Sequence, residues 1–273
     1  MTFWQNVLRI LDARMPEPQL YGWFHLLWLA ISIGAAVWLC ARYRDASRRT
    51  IINLVFGVAV TVIVMEVYKL INFSFEYEDG VVFDFSWYSF PWQFCSTPMY
   101  VGLLAGLIRK GKVHDALCAY LATFSIFAGV AVMLYPSTVF TETIGINIQT
   151  MFCHGSMITV GAYLLGSGHV KLEHRTVLKA VPVFAVTVGI AMVLNEIAYY
   201  SGLLKTDDFN MFYISRHCEP FLPVYSEVQK AVPYPWCLIL YILGFTAAAY
   251  LMLLIAMGIR KLCVALTKKK AVA

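Results

Sequence analysis

The sequence predicts an all-α, polytopic membrane helix bundle of about seven transmembrane helices, and three observations carry that expectation. Hydrophobic residues make up 60% of the 273-residue chain and charged residues only 14%, against about 25% charge in a typical soluble domain. The apolar residues fall in long runs, and a run of about 20 crosses the hydrocarbon core as a helix. Lysine and arginine collect in every second connection between those runs, as the positive-inside rule requires. The net charge of +5 is thus a topology signal, and nucleic acid is not an expected partner.

The chain reads as a single transmembrane domain over 1–273. Residues 1–19 come first, with Phe3, Trp4, Val7, Leu8, Ile10 and Leu11 alternating with Arg9, Asp12 and Arg14. That pattern predicts a short helix lying in the membrane interface, and it is not that of a cleavable signal peptide. Spans are expected at about 20–41, 51–72, 90–108, 114–135, 144–166, 177–200 and 233–259. The connection after the first holds Arg42, Arg44, Arg48 and Arg49, that after the third Arg109, Lys110 and Lys112, and that after the fifth Lys171, Arg175 and Lys179. The tail, 260–273, carries Arg260, Lys261, Lys268, Lys269 and Lys270. The connection after the second span has Glu76, Glu78, Asp79 and Asp84, that after the fourth has Glu142, and neither has a lysine or arginine. The long connection from Ser201 to Val232 is mixed, with Lys205, Arg216 and Lys230 beside Asp207, Asp208, Glu219 and Glu227. The chain is therefore expected N-out and C-in, with a basic cytoplasmic tail.

Ionisable groups in hydrocarbon are expensive and face the bundle interior. With a rise of about 1.5 Å per helical residue, His25, Glu66, Gln93, Cys95, His154, Asn195 and Glu196 all fall in one slab near the outer surface, together with Asn147, Gln149 and Cys153. Glu66 and Lys69, three apart, share a helix face. His25, Lys69 and Glu196 are near enough to the interface to snorkel, and an ion pair of Glu66 with Lys69 has a purely structural reading. Glu66 and His154 are deeper, where a polar cavity is the expectation.

Within the slab, Cys95 lies near the start of the third span, which either Pro91 or Pro98 marks. A nucleophilic cysteine needs a base in reach, and His154 is the one histidine deep inside a span. Glu66 or Glu196 is the candidate to orient the imidazole, and Cys153 is an alternative thiol. The seven cysteines lack paired metal-type spacing, and neither a metal nor a cofactor is expected.

Four stretches add a resemblance: Phe-Pro-Trp-Gln-Phe-Cys-Ser at 90–96, Leu-Tyr-Pro-Ser at 134–137, Ile-Gln-Thr-Met-Phe-Cys-His-Gly at 148–155 and Asn-Met-Phe-Tyr-Ile at 210–214. Through them the chain resembles the YwaF-like family of bacterial integral membrane proteins, related to the mammalian transmembrane protein 164, an acyltransferase that makes ether phospholipids. The resemblance implies that Cys95 and His154 are the catalytic pair. It implies a multi-pass protein of the cell membrane that transfers acyl chains through an acyl-cysteine to a lysolipid, with phospholipid or lysophospholipid as partner. Gln93 stands where bacterial relatives often have histidine. Gln93, Glu66, His25, Gln149, Asn195, Glu196 and Asn210 are the expected supporting or substrate-binding residues, with Gln93 or Asn195 as oxyanion donors. A transporter or receptor holding a small solute in the same slab is the alternative reading, and a scaffold with a structural polar core is a third.

Overall fold

The computed structural model of the chain describes residues 2–202, 209–219 and 222–272. Lys205, Asp207 and Asp208 lie outside the described residues, as do the side chains of Lys268, Lys269 and Lys270.

Thr2 opens the first helix through a capping box with Gln5, two orphan donors satisfied reciprocally. That helix, α1 (Phe3–Leu11), leaves Phe3, Trp4 and Ile10 exposed. There follow α2 (Trp23–Arg42), α3 (Arg48–Ser74), a hairpin of β1 (Phe75–Glu76) and β2 (Val82–Phe83), α4 (Thr97–Ile108), α5 (Gly111–Leu121) and α6 (Phe124–Leu134). Then come α7 (Ile144–Gly166), α8 (Arg175–Ser201), α9 (Pro223–Ala231) and α10 (Tyr234–Val272). The two strands pair antiparallel, Phe75 opposite Phe83.

Among the described residues, five helical segments are long and apolar enough to cross a membrane: Trp23–Arg42, Arg48–Ser74, Gly111–Leu134, Arg175–Ser201 and Tyr234–Thr267. The other two expected spans differ in instructive ways. The one expected over 90–108 is helical only from Thr97, because Pro98 at the start of α4 supplies no N–H and suits a first turn. Twelve residues rise about 18 Å, short of a hydrocarbon core of about 30 Å. Helix α7 has the length, but Asn147, Gln149 and His154 keep it outside the apolar group, and its environment is protein: these three and eleven other residues of α7 are buried. The expected span 114–135 is broken at Ala122–Thr123, where the Thr123 hydroxyl donates to the Ala119 carbonyl at 2.7 Å, an alternative to the helical ladder. Helix α10 runs through the segment expected as a separate tail, to Val272.

Helix α7 is the hub, packed on α2, α3, α5 and α6. Glycine permits two of its closest approaches. A Cβ on Gly161 would lie 2.6 Å from the Leu121 carbonyl, and one on Gly129 of α6 2.6 Å from the His154 carbonyl. Small residues let helix backbones approach in membranes. The polarity of the whole is inverted relative to a soluble protein. Trp38, Val64, Leu107, Leu178 and Leu243 are exposed, whereas Glu66, Asn147, Gln149, His154 and Asn195 are buried. Such an exterior needs lipid around it, and the chain is a multi-pass membrane protein.

The connections gather at two ends. At one, Tyr68 Oη donates to the Leu11 carbonyl at 2.6 Å, Tyr77 Oη and Thr143 Oγ1 both donate to Asp12 at 2.9 Å, and the Met15 N–H reaches the Glu142 carbonyl. At the other, the Arg48 guanidinium donates to the Arg109 carbonyl at 3.1 Å, and Tyr163 Oη to the Tyr43 carbonyl at 3.0 Å.

Candidate functional site

Glu66 sits on α3 and is 4% exposed. Both carboxylate oxygens are taken: Lys69 Nζ donates to Oε1 at 2.5 Å and Gln149 Nε2 to Oε2 at 2.9 Å. A buried charge is tolerated when paired and hydrogen-bonded in this way, and the contact ties α3 to α7. Four residues beyond Gln149, one helical turn on, Cys153 packs with Val62, Met99 and Met157 against Cys95. The Cys153 thiol approaches the Cys95 carbonyl at 3.9 Å. Cys95 itself is partly exposed, in the turn that leads into α4.

His154 is 4% exposed. Its Nδ1–H donates to the Thr150 carbonyl at 2.6 Å, one turn earlier on α7. That bond fixes the neutral tautomer, so Nε2 carries the lone pair. Nε2 is buried and bonds nothing among the described residues. The group that orients this imidazole is thus a backbone carbonyl, where the sequence suggested Glu66 or Glu196. No hydrogen bond joins His154 to Cys95 among the described residues.

The amide side chains of the slab hold backbone. Gln93 Oε1 accepts from the Phe212 N–H at 2.8 Å while its Nε2 donates to the Asn210 carbonyl at 3.0 Å. Asn195 accepts from the Met211 N–H at 2.7 Å and donates to the Met211 carbonyl at 3.0 Å. The Asn210 side chain accepts from the Ser215 N–H. Gln93 and Asn195 are therefore committed to seating residues 210–212 between α4 and α8, which removes them as free oxyanion donors. The Phe94 and Cys95 N–H groups, by contrast, have no hydrogen bond among the described residues.

Two expected members stand apart. His25 accepts from the Tyr21 N–H at Nδ1, so its Nε2–H donates to the Met133 carbonyl at 2.8 Å. It fastens the start of α2 to the end of α6. Glu196 pairs with Arg216 at 2.9 Å and with His217 at 3.3 Å at the rim, and the His217 ring stacks on Tyr199 at 3.6 Å.

Apolar space adjoins the Cys95 turn. A small cavity of about 30 Å³ is lined by Val58, Val62, Pro98, Met99, Cys153 and Met157. A groove of about 130 Å³ between α2 and α3, floored by α7, includes Trp28, Ile31, Leu54, Phe152 and Ser156. Val58, Ser156 and Val160 border both.

One cluster escaped the sequence reading: His114, Cys118 and His169, at the far end of α4. The signal available was His114 and Cys118 four apart on one helix face. The third member comes from the turn after α7, whose proximity no spacing reveals.

A model of the TMEM164 family matches residues 20–255, which include Cys95, His154 and all four stretches quoted above. No curated protein and no solved structure matches the chain.

Proposed function

Because the chain belongs to the TMEM164 family, we propose that it is a membrane-embedded acyl-lipid transferase working through Cys95 and His154. The four sequence stretches support placing it among the YwaF-like bacterial members, in the cell membrane, and the apolar runs with alternating basic connections support seven crossings, N-out and C-in. The observation that carries the catalytic reading is His154. A buried ring nitrogen without a partner is rare and calls for an explanation. Here the nitrogen is the basic one, on an imidazole fixed by the Thr150 carbonyl, as a general base requires. The apolar groove between α2 and α3, which shares Val58, Ser156 and Val160 with the small cavity next to Pro98 and Met99, supports a lateral way in for an acyl chain from lipid.

The chemistry is a two-step acyl exchange. His154 Nε2 takes the Cys95 proton after a rearrangement that brings the two into contact, and the thiolate attacks the ester carbonyl carbon of a phospholipid. The oxyanion collapses to a thioester. The lysophospholipid oxygen leaves with the proton from His154. In the second half an acceptor hydroxyl gives its proton to His154 and attacks the thioester, and the thiolate leaves and is reprotonated. With Gln93 and Asn195 occupied, the Phe94 and Cys95 N–H groups are the donors for the oxyanion. Acyl-CoA is a poor donor in this scheme, because its charged headgroup has to enter an apolar layer at high desolvation cost.

The test is protein in liposomes, with labelled acyl chains supplied in phospholipid or in acyl-CoA. Label is expected on Cys95 from phospholipid, as a hydroxylamine-sensitive thioester. Cys95→Ala should abolish it, and His154→Gln should slow acylation about 100-fold or more. Solute retention with no acylation at all favours the binding-protein reading instead. Labelling of Cys95→Ala as strong as wild type removes this cysteine from the mechanism.

A further inference from the structure

We propose that His114, Cys118 and His169 form a binding site for one zinc ion, at the end of α4 remote from Cys95. The inference is independent of the acyltransferase reading.

Three segments deliver the ligands. His114 lies in the first turn of α5, Cys118 one turn later on the same face, and His169 in the turn between α7 and α8. His114 Nε2 and His169 Nε2 are 3.1 Å apart, Cys118 Sγ and His114 Nε2 are 3.4 Å apart, and all three donor atoms lie within 4.8 Å of one another. Tetrahedral zinc, with bonds of about 2.3 Å to sulfur and about 2.0 Å to nitrogen, sets its donors roughly 3.3–3.6 Å apart. The two measured edges are within a few tenths of an ångström of that.

The orientation of His114 is that of a metal ligand. Its Nδ1–H donates to the Ala105 carbonyl at 3.0 Å, which leaves the Nε2 lone pair facing the cluster. Ligating histidines characteristically donate their other ring N–H to a carbonyl or carboxylate. His114 and Cys118 are 1% and 2% exposed, so an ion here is shielded, while the partly exposed His169 marks the route in. One thiolate with two imidazoles is a borderline donor set suited to zinc and unsuited to calcium or magnesium. The nearby fixed charges are of opposite sign: Arg48, held on the Arg109 carbonyl, and Asp115. On binding, Cys118 loses its thiol proton to solvent, and three protein ligands leave the fourth position to water. The ion pins the α4–α5 turn to the α7–α8 turn.

The experiment uses the full chain in detergent, stripped with a chelator and titrated with cobalt(II) alone, then zinc(II) alone. The expected result is one cobalt per chain with a thiolate-to-cobalt charge-transfer band, displaced by zinc, and a zinc-dependent rise in Tm. Cys118→Ser should lose the band. His169→Ala, in the exposed turn, should weaken binding at least about tenfold, and Cys263→Ser, on an exposed thiol, should bind as wild type. His169→Ala decides the matter if Cys118→Ser does not fold. Wild type that takes up neither ion, a cobalt complex without the thiolate band, or undiminished binding by His169→Ala overturns the site.

Discussion

Asp12 ends α1 and is the anchor of the N-terminal segment, accepting from Tyr77, Thr143 and Arg14. Burial pushes its carboxyl up, but the hydrogen bonds from Thr143, Tyr77 and Arg14 outweigh this and hold it below the ordinary carboxylate value. A depressed folded pKa means stability that is present above the unfolded value, about 3.9, and lost as pH falls through the folded one. Asp12→Asn should therefore lower stability at pH 7 by about 1–3 kcal/mol, read as a drop in Tm in detergent. The gap to wild type should close below about pH 4. Gln93→Leu should also destabilise, by about 2–4 kcal/mol, since the Phe212 N–H and the Asn210 carbonyl are both left unpaired. A Tm equal to wild type would show that water replaces the amide. The sequence placed Gln93 and Asn195 in one region because depth along a helix follows from residue count, whereas Asn210 entered only through the resemblance. What they bind was illegible: Gln93 and its partner Asn210 are 117 residues apart, and nothing local records such a pairing. His114 and Cys118 were hidden differently, in what looked like the basic end of an ordinary span.

At the scale of elements, the α6–α7 and α5–α7 contacts depend on glycine. Gly129→Ala or Gly161→Ala pushes a methyl against a backbone carbonyl 2.6 Å away, which a rotamer change cannot relieve. Each should cost about 1–3 kcal/mol. Gly57→Ala on α3 meets nothing within 4 Å and is the control, expected to match or exceed wild type in Tm because alanine favours helix. Equal melting of all three variants would mean the helices are not this close. The long apolar helices were legible because hydrocarbon thickness imposes a minimum run of apolar residues, so α2, α3, α8 and α10 appear near their expected positions. The start of α4 was ambiguous between Pro91 and Pro98, since either proline suits a first turn. The Thr123 break was unreadable, as threonine sits in intact membrane helices equally well and its bond to Ala119 declares itself only in three dimensions.

For the molecule as a whole, the basic connections after the first, third and fifth expected spans lead to the proposed N-out, C-in topology. A reporter fused after α10 should be active only in the cytoplasm, and activity on the far side of the membrane would reverse the assignment. The segment holding Phe212 gives the assembly an order. Phe212 and Tyr213 both have left-handed backbone, with φ of 58° and 56°, a conformation that disfavours residues other than glycine by roughly 1–2 kcal/mol each. Gln93 before α4 and Asn195 of α8 hold this segment, and Tyr241 of α10 completes the seat by donating to the Phe212 carbonyl at 3.1 Å. During synthesis the segment leaves the ribosome before the helix that carries Tyr241. A nascent chain stalled ahead of Tyr234 therefore has a seam that is two-thirds latched and under backbone strain.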